Sequence, residues 1–307
     1  VAREKIRLFL KLSRVPFLSV GVLPLLLGFV LAQNAGHPVY WPVGVLALLA
    51  VTCIMLATYY HGEAEDFDTD SINLEFNRFS GGSRMVATGV FSARFALGLS
   101  YVSVALAVLL GLIIQFVFHT GALTLLLGGF GLGAGVFYSG RPIQLARRGL
   151  GEIFIGFCYG WLTVNTGYYL MSQRFAGDPT LVSLPIALSI FLVIFINEFP
   201  DYHSDRQVQK NNLVARLGHG PASWLYMGVM GLNLAVLAAL AWHYRVHSLG
   251  WALLAVPMSL GIANLEAMLR GKYREHRPLE ALCGRTILFN LSITGAFILI
   301  FLCRWTG

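Results

Sequence analysis

Hydrophobic positions in this chain come in long unbroken runs rather than in alternation. About nine of these runs approach the ~20 residues with which a helix spans a bilayer. They lie at roughly 15–32, 41–61, 92–116, 122–139, 153–171, 181–199, 222–243, 249–269 and 285–303. Strands of a membrane barrel would be shorter and would alternate, so the pattern predicts helices. The third and fourth runs nearly touch at His119-Thr120-Gly121, where a tight turn is expected. Residues 1–14 set Ile6, Leu8, Phe9, Leu10 and Leu12 among Arg3, Lys5, Arg7 and Lys11, which predicts a short amphipathic helix on the membrane surface. The first apolar run is long, and Gln33-Asn34-Ala35-Gly36-His37 gives no small-residue cleavage pattern, so it reads as a span and not as a cleaved signal. The expected fold is one all-α integral membrane domain, 1–307, with about nine transmembrane helices around a central cavity and loops capping it on the cytoplasmic side.

Composition agrees. The chain is 56% hydrophobic and 12% charged, against about 25% charged residues in soluble domains. Charge placement then sets orientation. With the N-terminus and every second loop on one side, that side holds all of the 22 Lys and Arg except Arg174, Arg245 and Arg304. Basic loops stay in the cytoplasm. The same side holds all of the 15 acids except Asp178. Acids do little for topology, so their crowding there points to a site facing the cytoplasm. The net charge of +7 fits topology and anionic lipid better than nucleic acid. Cys53, Cys158, Cys283 and Cys303 lie in or beside spans without Cys-x-x-Cys spacing, and read as packing residues.

Two acidic clusters share one spacing. Gly62-Glu63-Ala64-Glu65-Asp66-Phe67-Asp68-Thr69-Asp70 and Asn197-Glu198-Phe199-Pro200-Asp201-Tyr202-His203-Ser204-Asp205 each carry Asp-x-x-x-Asp with a Glu three residues before the first Asp. Each follows a long apolar run, and the pairing suggests an internal repeat, roughly 1–140 and 141–307. Residues four apart on a helix share a face, so Asp66 with Asp70, and Asp201 with Asp205, can point one way. Four carboxylates around one cavity repel each other. A hard cation such as Mg²⁺ relieves this, and it usually takes a few carboxylates plus substrate phosphates. Asn197, four before Asp201, offers a carbonyl oxygen to the same metal. Arg84, Arg141, Arg148 and Lys210 are candidates for diphosphate oxygens, and Arg14, Tyr138 and Asn77 for substrate. Glu63, Asp68 and Glu198 fit direct ligation and supporting roles equally well. His61 and His203 sit beside the motifs but read as interfacial. No P-loop or dinucleotide-binding glycine turn is present. A repeat-built transporter would carry its ionisable groups near mid-membrane, whereas here they crowd one surface.

The two motifs at the ends of the second and sixth spans, with Phe79-Ser80-Gly81-Gly82-Ser83-Arg84 after the first, give a chain that resembles the UbiA superfamily of membrane aromatic prenyltransferases. That family carries Asn-Asp-x-x-Asp-x-x-x-Asp after the second span, and Gly62 and Glu63 depart from it. The resemblance covers nearly the whole chain, and the Asn197-to-Gly218 stretch is most similar to enzymes acting on 1,4-dihydroxy-2-naphthoate. It implies Mg²⁺ held by the aspartate pairs, a polyprenyl diphosphate donor and attack by an electron-rich aromatic carbon on an allylic carbocation-like centre. Tyr138, Tyr159 or Tyr168 would stabilise positive charge through their ring faces. The acceptor remains open among the naphthoate, 4-hydroxybenzoate, homogentisate, chlorophyllide, haem and a glycerol phosphate lipid.

Overall fold

A computed structural model describes residues 2–304. Among the described residues every regular element is helical. The chain opens with α1 (Ala2–Leu12), then a 3-10 turn at Val15–Leu18 that leads into α2 (Ser19–Asn34). α3 (Trp41–Glu65) is followed directly by the short α4 (Phe67–Ile72). A long irregular stretch then leads to α5 (Ala93–Leu112), which Ser92 caps by accepting the N–H of Phe95. α6 (Leu123–Ser139), α7 (Gly151–Phe157) and α8 (Thr163–Ser172) follow, the last two joined by a π turn at Cys158–Leu162. The remainder is α9 (Gly177–Asn197), α10 (Tyr202–Gln207), α11 (Leu213–Leu217), α12 (His219–His243), α13 (Ser248–Leu269) and α14 (His276–Leu302).

The expectation of nine spans is corrected to seven among the described residues: α2 with its leading turn, α3, α5 with the π turn Ile113–Val117, α9, α12, α13 and α14 are long and apolar enough to cross a membrane. The difference has two local causes. α6 has 17 residues, short for a span. The run at 153–171 continues as helix through its π turn, as α5 does through its own, but Thr163, Asn165, Thr166, Tyr168 and Tyr169 make it less apolar than those seven. The turn expected at 119–121 is present, with His119 and Gly121 both at positive φ.

Packing is closest where side chains are smallest. A Cβ on Gly28 of α2 would lie 2.8 Å from the Gly167 Cα of α8, so these helices touch backbone to backbone. Gly160 in the π turn meets Ala187 of α9 as closely, its added Cβ falling 2.5 Å from the Ala187 Cα. The largest apolar core joins α9, α12 and α14 with parts of α2 and α8, centred on Tyr226, Phe195, Phe289 and Phe297. Leu12 of α1 packs with Tyr60, Met85, Val86 and Ala96, and Ser13 Oγ lies 2.7 Å from the Tyr60 hydroxyl. The first helix is thereby anchored as well as amphipathic. Outward faces carry exposed apolar residues such as Tyr101, Val102, Leu109 and Leu232, as lipid contact requires. With these directions, the start of α2, the ends of α3, α6 and α9 and the start of α7 meet at one end of the bundle and enclose a cavity.

Candidate functional site

The cavity has about 1180 Å³ of open space, its mouth included, and both acidic clusters line it. Each cluster is built by the same local device. α3 stops at Asp66, whose φ −88° and ψ 8° break the helix, and α4 restarts at once with Asp70 in its first turn. After α9 the chain bends at Glu198–Pro200, and Asp201, with φ −88° and ψ −3°, begins α10 with Asp205 in its first turn. The restart brings all four aspartates to one cavity.

Lys210 stands among them. Its Nζ is 3.3 Å from Asp66 Oδ1 and 3.8 Å from Asp205 Oδ1. Burial pulls the ammonium down, but Asp66 and Asp205 outweigh it and hold its pKa well above the usual lysine value. Asp70 is raised to about 8, first by burial and then by the negative charge of Asp66. Asp201 is raised to about 7 by burial and by Asp205, although the Gly81 N–H works against this. Asp205 is raised by burial despite Lys210. One lysine therefore does not neutralise the cluster.

Hydrogen bonds fix the carboxylates. Asn73 Nδ2 donates to Asp201 Oδ1 at 2.7 Å, and the Gly81 N–H to Asp201 Oδ2 at 3.4 Å. Asn212 Nδ2 donates to Asp205 Oδ2 at 2.6 Å while its Oδ1 caps α11 at the N–H of Ala215. Ser139 Oγ donates to Asp66 Oδ2 at 3.4 Å. Glu63 accepts the backbone N–H of Ser83. Several buried oxygens accept no hydrogen bond: Asp205 Oδ1, which has only the longer ion pair to Lys210, Asn197 Oδ1, Glu198 Oε2 and Glu152 Oε2. Orphaned buried acceptors are rare in folded proteins. Those of Asp205, Asn197 and Glu198, which line the cavity, form with the raised carboxylates a hard-oxygen donor set that fits a divalent cation. Among the described residues no three His, Cys, Asp or Glu side chains already stand in ligating geometry. Lys210, Asn73 and Asn212 instead engage oxygens of Asp66, Asp201 and Asp205.

The other expected residues divide. Arg14, Tyr138 and Asn197 line the cavity. The Arg14 guanidinium lies over the rings of Phe17 and Tyr59, 4.7 and 5.5 Å from their centroids. Arg84, Arg141, Arg148 and Asn77 are not among the lining residues. Arg84 Nη1 donates to the carbonyls of Asp70 (2.9 Å) and Asn73 (3.3 Å), and the guanidinium lies 3.8 Å from the centre of the Phe76 ring. Arg148 donates to the Pro142 carbonyl, and Arg141 is exposed on the adjoining loop. Asn77 is buried and orders its own loop through the N–H groups of Phe79 and Ser80. Tyr159 lines the cavity, whereas Tyr168 is corrected: it is buried in the large core, edge-on to His37. His61 is buried away from the lining, and His203 is exposed beside Tyr202 and His219.

Sequence reasoning missed Asn73, Asn212, Ser139 and Glu152. Glu152 is fully buried, and its Oε1 accepts the Leu213 N–H at 2.7 Å, which fixes the loop carrying Lys210. Its neighbour Glu198 is raised well above the usual range by burial and then by Glu152. A second, almost wholly apolar cavity of about 650 Å³ lies against the first. It runs between α3, α6 and the α7–α8 segment, and Thr58, Tyr138, Ile155 and Tyr159 line both. The site thus joins an anionic, metal-suited head to an apolar extension.

This geometry has counterparts among known proteins. The chain is 28% identical over 239 residues to a 1,4-dihydroxy-2-naphthoate octaprenyltransferase of Bacillus subtilis, covering 72% of each chain. It is 32% identical over 188 residues to the enzyme of the same name from Escherichia coli, covering 60% of this chain and 59% of that one. Among solved structures, a UbiA homologue from Aeropyrum pernix superposes with a TM-score of 0.67 at 19% identity, covering 91% of this chain and 97% of that one. One from Archaeoglobus fulgidus, bound to GPP and Mg²⁺, gives 0.62 at 15% identity, covering 95% and 99%. The pattern of the UbiA prenyltransferase family matches residues 21–294, so the chain belongs to that family and is a membrane-embedded prenyltransferase.

Proposed function

We propose that this enzyme transfers a polyprenyl group from polyprenyl diphosphate to 1,4-dihydroxy-2-naphthoate, with Mg²⁺, at the cytoplasmic face of a cell membrane. The observation that carries this reading is the convergence of Asp66, Asp70, Asp201 and Asp205 on one cavity that continues into an apolar one. The four aspartates, with Asn197, would hold the metal. Bound Mg²⁺ would neutralise the diphosphate and favour its departure. Lys210, between the two clusters, gives charged hydrogen bonds to the leaving oxygens. The apolar cavity takes the isoprenoid tail and keeps water from the reacting carbon. The faces of Tyr138 and Tyr159, where the cavities meet, stabilise positive charge developing there. Arg14, flanked by Phe17 and Tyr59, suits the carboxylate and ring of an aromatic acid acceptor. The allylic C–O bond breaks, a C–C bond forms to the acceptor ring, and that ring carbon then gives up its proton or carboxyl group. The naphthoate is preferred because the Bacillus and Escherichia relatives carry that acceptor in their names. Positive charge crowded at the cavity end supports the cytoplasmic orientation.

The test is direct. Purified enzyme in nanodiscs is given Mg²⁺, a labelled polyprenyl diphosphate and a panel of acceptors: the naphthoate, 4-hydroxybenzoate, homogentisate and a glycerol phosphate lipid. Prenylated naphthoate is expected to dominate. Efficient product from another acceptor, with none from the naphthoate, overturns the acceptor assignment.

A further inference from the structure

Glu63 occupies a position at which this chain departs from its family's pattern. It lies on the last turn of α3, three residues before Asp66, and is 4% exposed. Its Oε1 is committed to the backbone N–H of Ser83. Gly82, next to Ser83, is so close that an added Cβ would lie 2.7 Å from Glu63 Oε1 and 2.8 Å from Asp70 Oδ2. Gly81 and Gly82 have φ of +66° and +64°, a left-handed pair that only glycine adopts without strain. The turn needs both properties, the missing side chain and the positive φ. One face of it leans on Glu63, and the other gives the Gly81 N–H to Asp201.

The flanks of this turn are tied to two different elements, α14 and α4. On one side Phe79 packs against Gly284 of α14, Asn77 Nδ2 reaches Cys283 Sγ, and His276 Nε2 meets the Phe76 carbonyl at 3.1 Å. On the other, Arg84 grips the Asp70 and Asn73 carbonyls. Residues 73–84 therefore form a strap from α14 to α4, held to the last turn of α3 by Glu63. The four residues Ser80–Ser83 lie at the cavity, three of them in its lining.

We propose that Glu63 is a positioning residue that latches the Gly81-Gly82-Ser83 turn over the acidic cavity, rather than a ligand of the metal. A carboxylate holds an amide N–H more strongly than a neutral oxygen does. Without it, the turn is held to the acidic cluster through Asp201 alone, by the longer Gly81 contact and Ser80. A seated turn keeps the Asp201 carboxylate oriented and narrows the cavity mouth. The turnover readout rests on the prenyl-transfer reading above; the exchange readout does not.

The test compares Glu63→Gln, Glu63→Ala and Gly82→Ala by two measurements on full-length protein. The first is hydrogen–deuterium exchange of peptides spanning 79–85 in metal-free enzyme. The second is turnover against Mg²⁺ and against prenyl diphosphate. Gln keeps an oxygen for the Ser83 N–H, so it rescues: exchange is within about threefold of wild type, and the Mg²⁺ requirement is unchanged. Ala frees the Ser83 N–H, and exchange there rises roughly tenfold or more. With it, KM for the diphosphate rises more than kcat falls, while the Mg²⁺ requirement stays near that of wild type. Gly82→Ala, with the carboxylate intact, shows the same loosening, which guards against a Glu63 variant that does not fold. Wild-type protection of Ser83 in Glu63→Ala overturns the latch. So does a tenfold weaker Mg²⁺ response in Glu63→Gln with Ser83 still protected, since that marks a ligand. If wild-type enzyme prenylates nothing, the functional assignment fails, and the exchange comparison still decides the latch.

Discussion

The two acidic helix ends look alike and are sustained differently. Each ends an apolar helix, bends at an aspartate with φ near −88° and restarts as a six-residue helix. Beyond that they diverge. The first is followed by the long strap over residues 73–84, and the second by a short link from Lys210 to Asn212. Each link serves the other motif. Asn73 and Gly81, from the first, hold Asp201. Lys210, from the second, holds Asp66. Neither motif is complete with its own neighbourhood alone, so substitutions in the two should not act independently.

The largest expected effect tests whether both motifs are required. Asp66→Asn and Asp201→Asn should each lower kcat by roughly 10³-fold or more with the protein still folded, as loss of groups that stabilise charge only during reaction does. Retention of a tenth of wild-type turnover by either would break the pairing. Next comes the reciprocity itself. Lys210→Met should lower kcat/KM by about 10²-fold, and the cycle with Asp66→Asn should show a coupling of about 0.5–3 kcal/mol. Additive single effects in that cycle would mean that the lysine serves only its own motif. A smaller effect separates the links. Asn73→Ala and Asn212→Ala each remove a hydrogen bond to a carboxylate, worth about 1.5–3 kcal/mol. Steady-state kinetics should show roughly ten- to hundredfold losses in kcat/KM, and a loss confined to one of the two would make the motifs unequal.

The smallest effect is on stability. Asp70 rises from 3.8 to about 8 and Asp201 from 3.8 to about 7. For acids raised on folding, the stabilising contribution is complete below the unfolded value and is lost as pH climbs through the folded one. Metal-free enzyme should therefore melt at lower temperature at pH 9 than at pH 6, and Mg²⁺ should restore more at pH 9. Thermal melts with and without the metal decide it. Asp70→Asn should flatten the curve, and an unchanged slope in that variant would assign the pH dependence elsewhere.

The apolar spans were legible because lipid contact leaves a one-dimensional signal, a run of hydrophobic residues. Their ends were less so. The run expected from Arg285 starts at His276, since α14 continues past its apolar part. The π turn at Cys158–Leu162 was invisible, as it has the same composition as the helix around it. The aspartates could be read because they recur with a spacing. Arg84 misled because its partners are carbonyl oxygens, which every residue carries. Glu152 was hidden next to Arg147 and Arg148 in what reads as a basic loop, although it is fully buried there while Arg148 is exposed and Arg147 half-buried. Asn73 was unreadable, since its partner is 128 positions away.

The rings of Tyr138 and Tyr159 mark a border between two solvents inside one protein. An amphiphile with an ionic end and a hydrocarbon end has a single stable placement across such a border. A diphosphate donor placed so would present one fixed carbon to the acceptor, whatever length of hydrocarbon trails beyond it. On the proposed reading, precision about where the bond forms and tolerance of the trailing chain would come from the same two phenol rings.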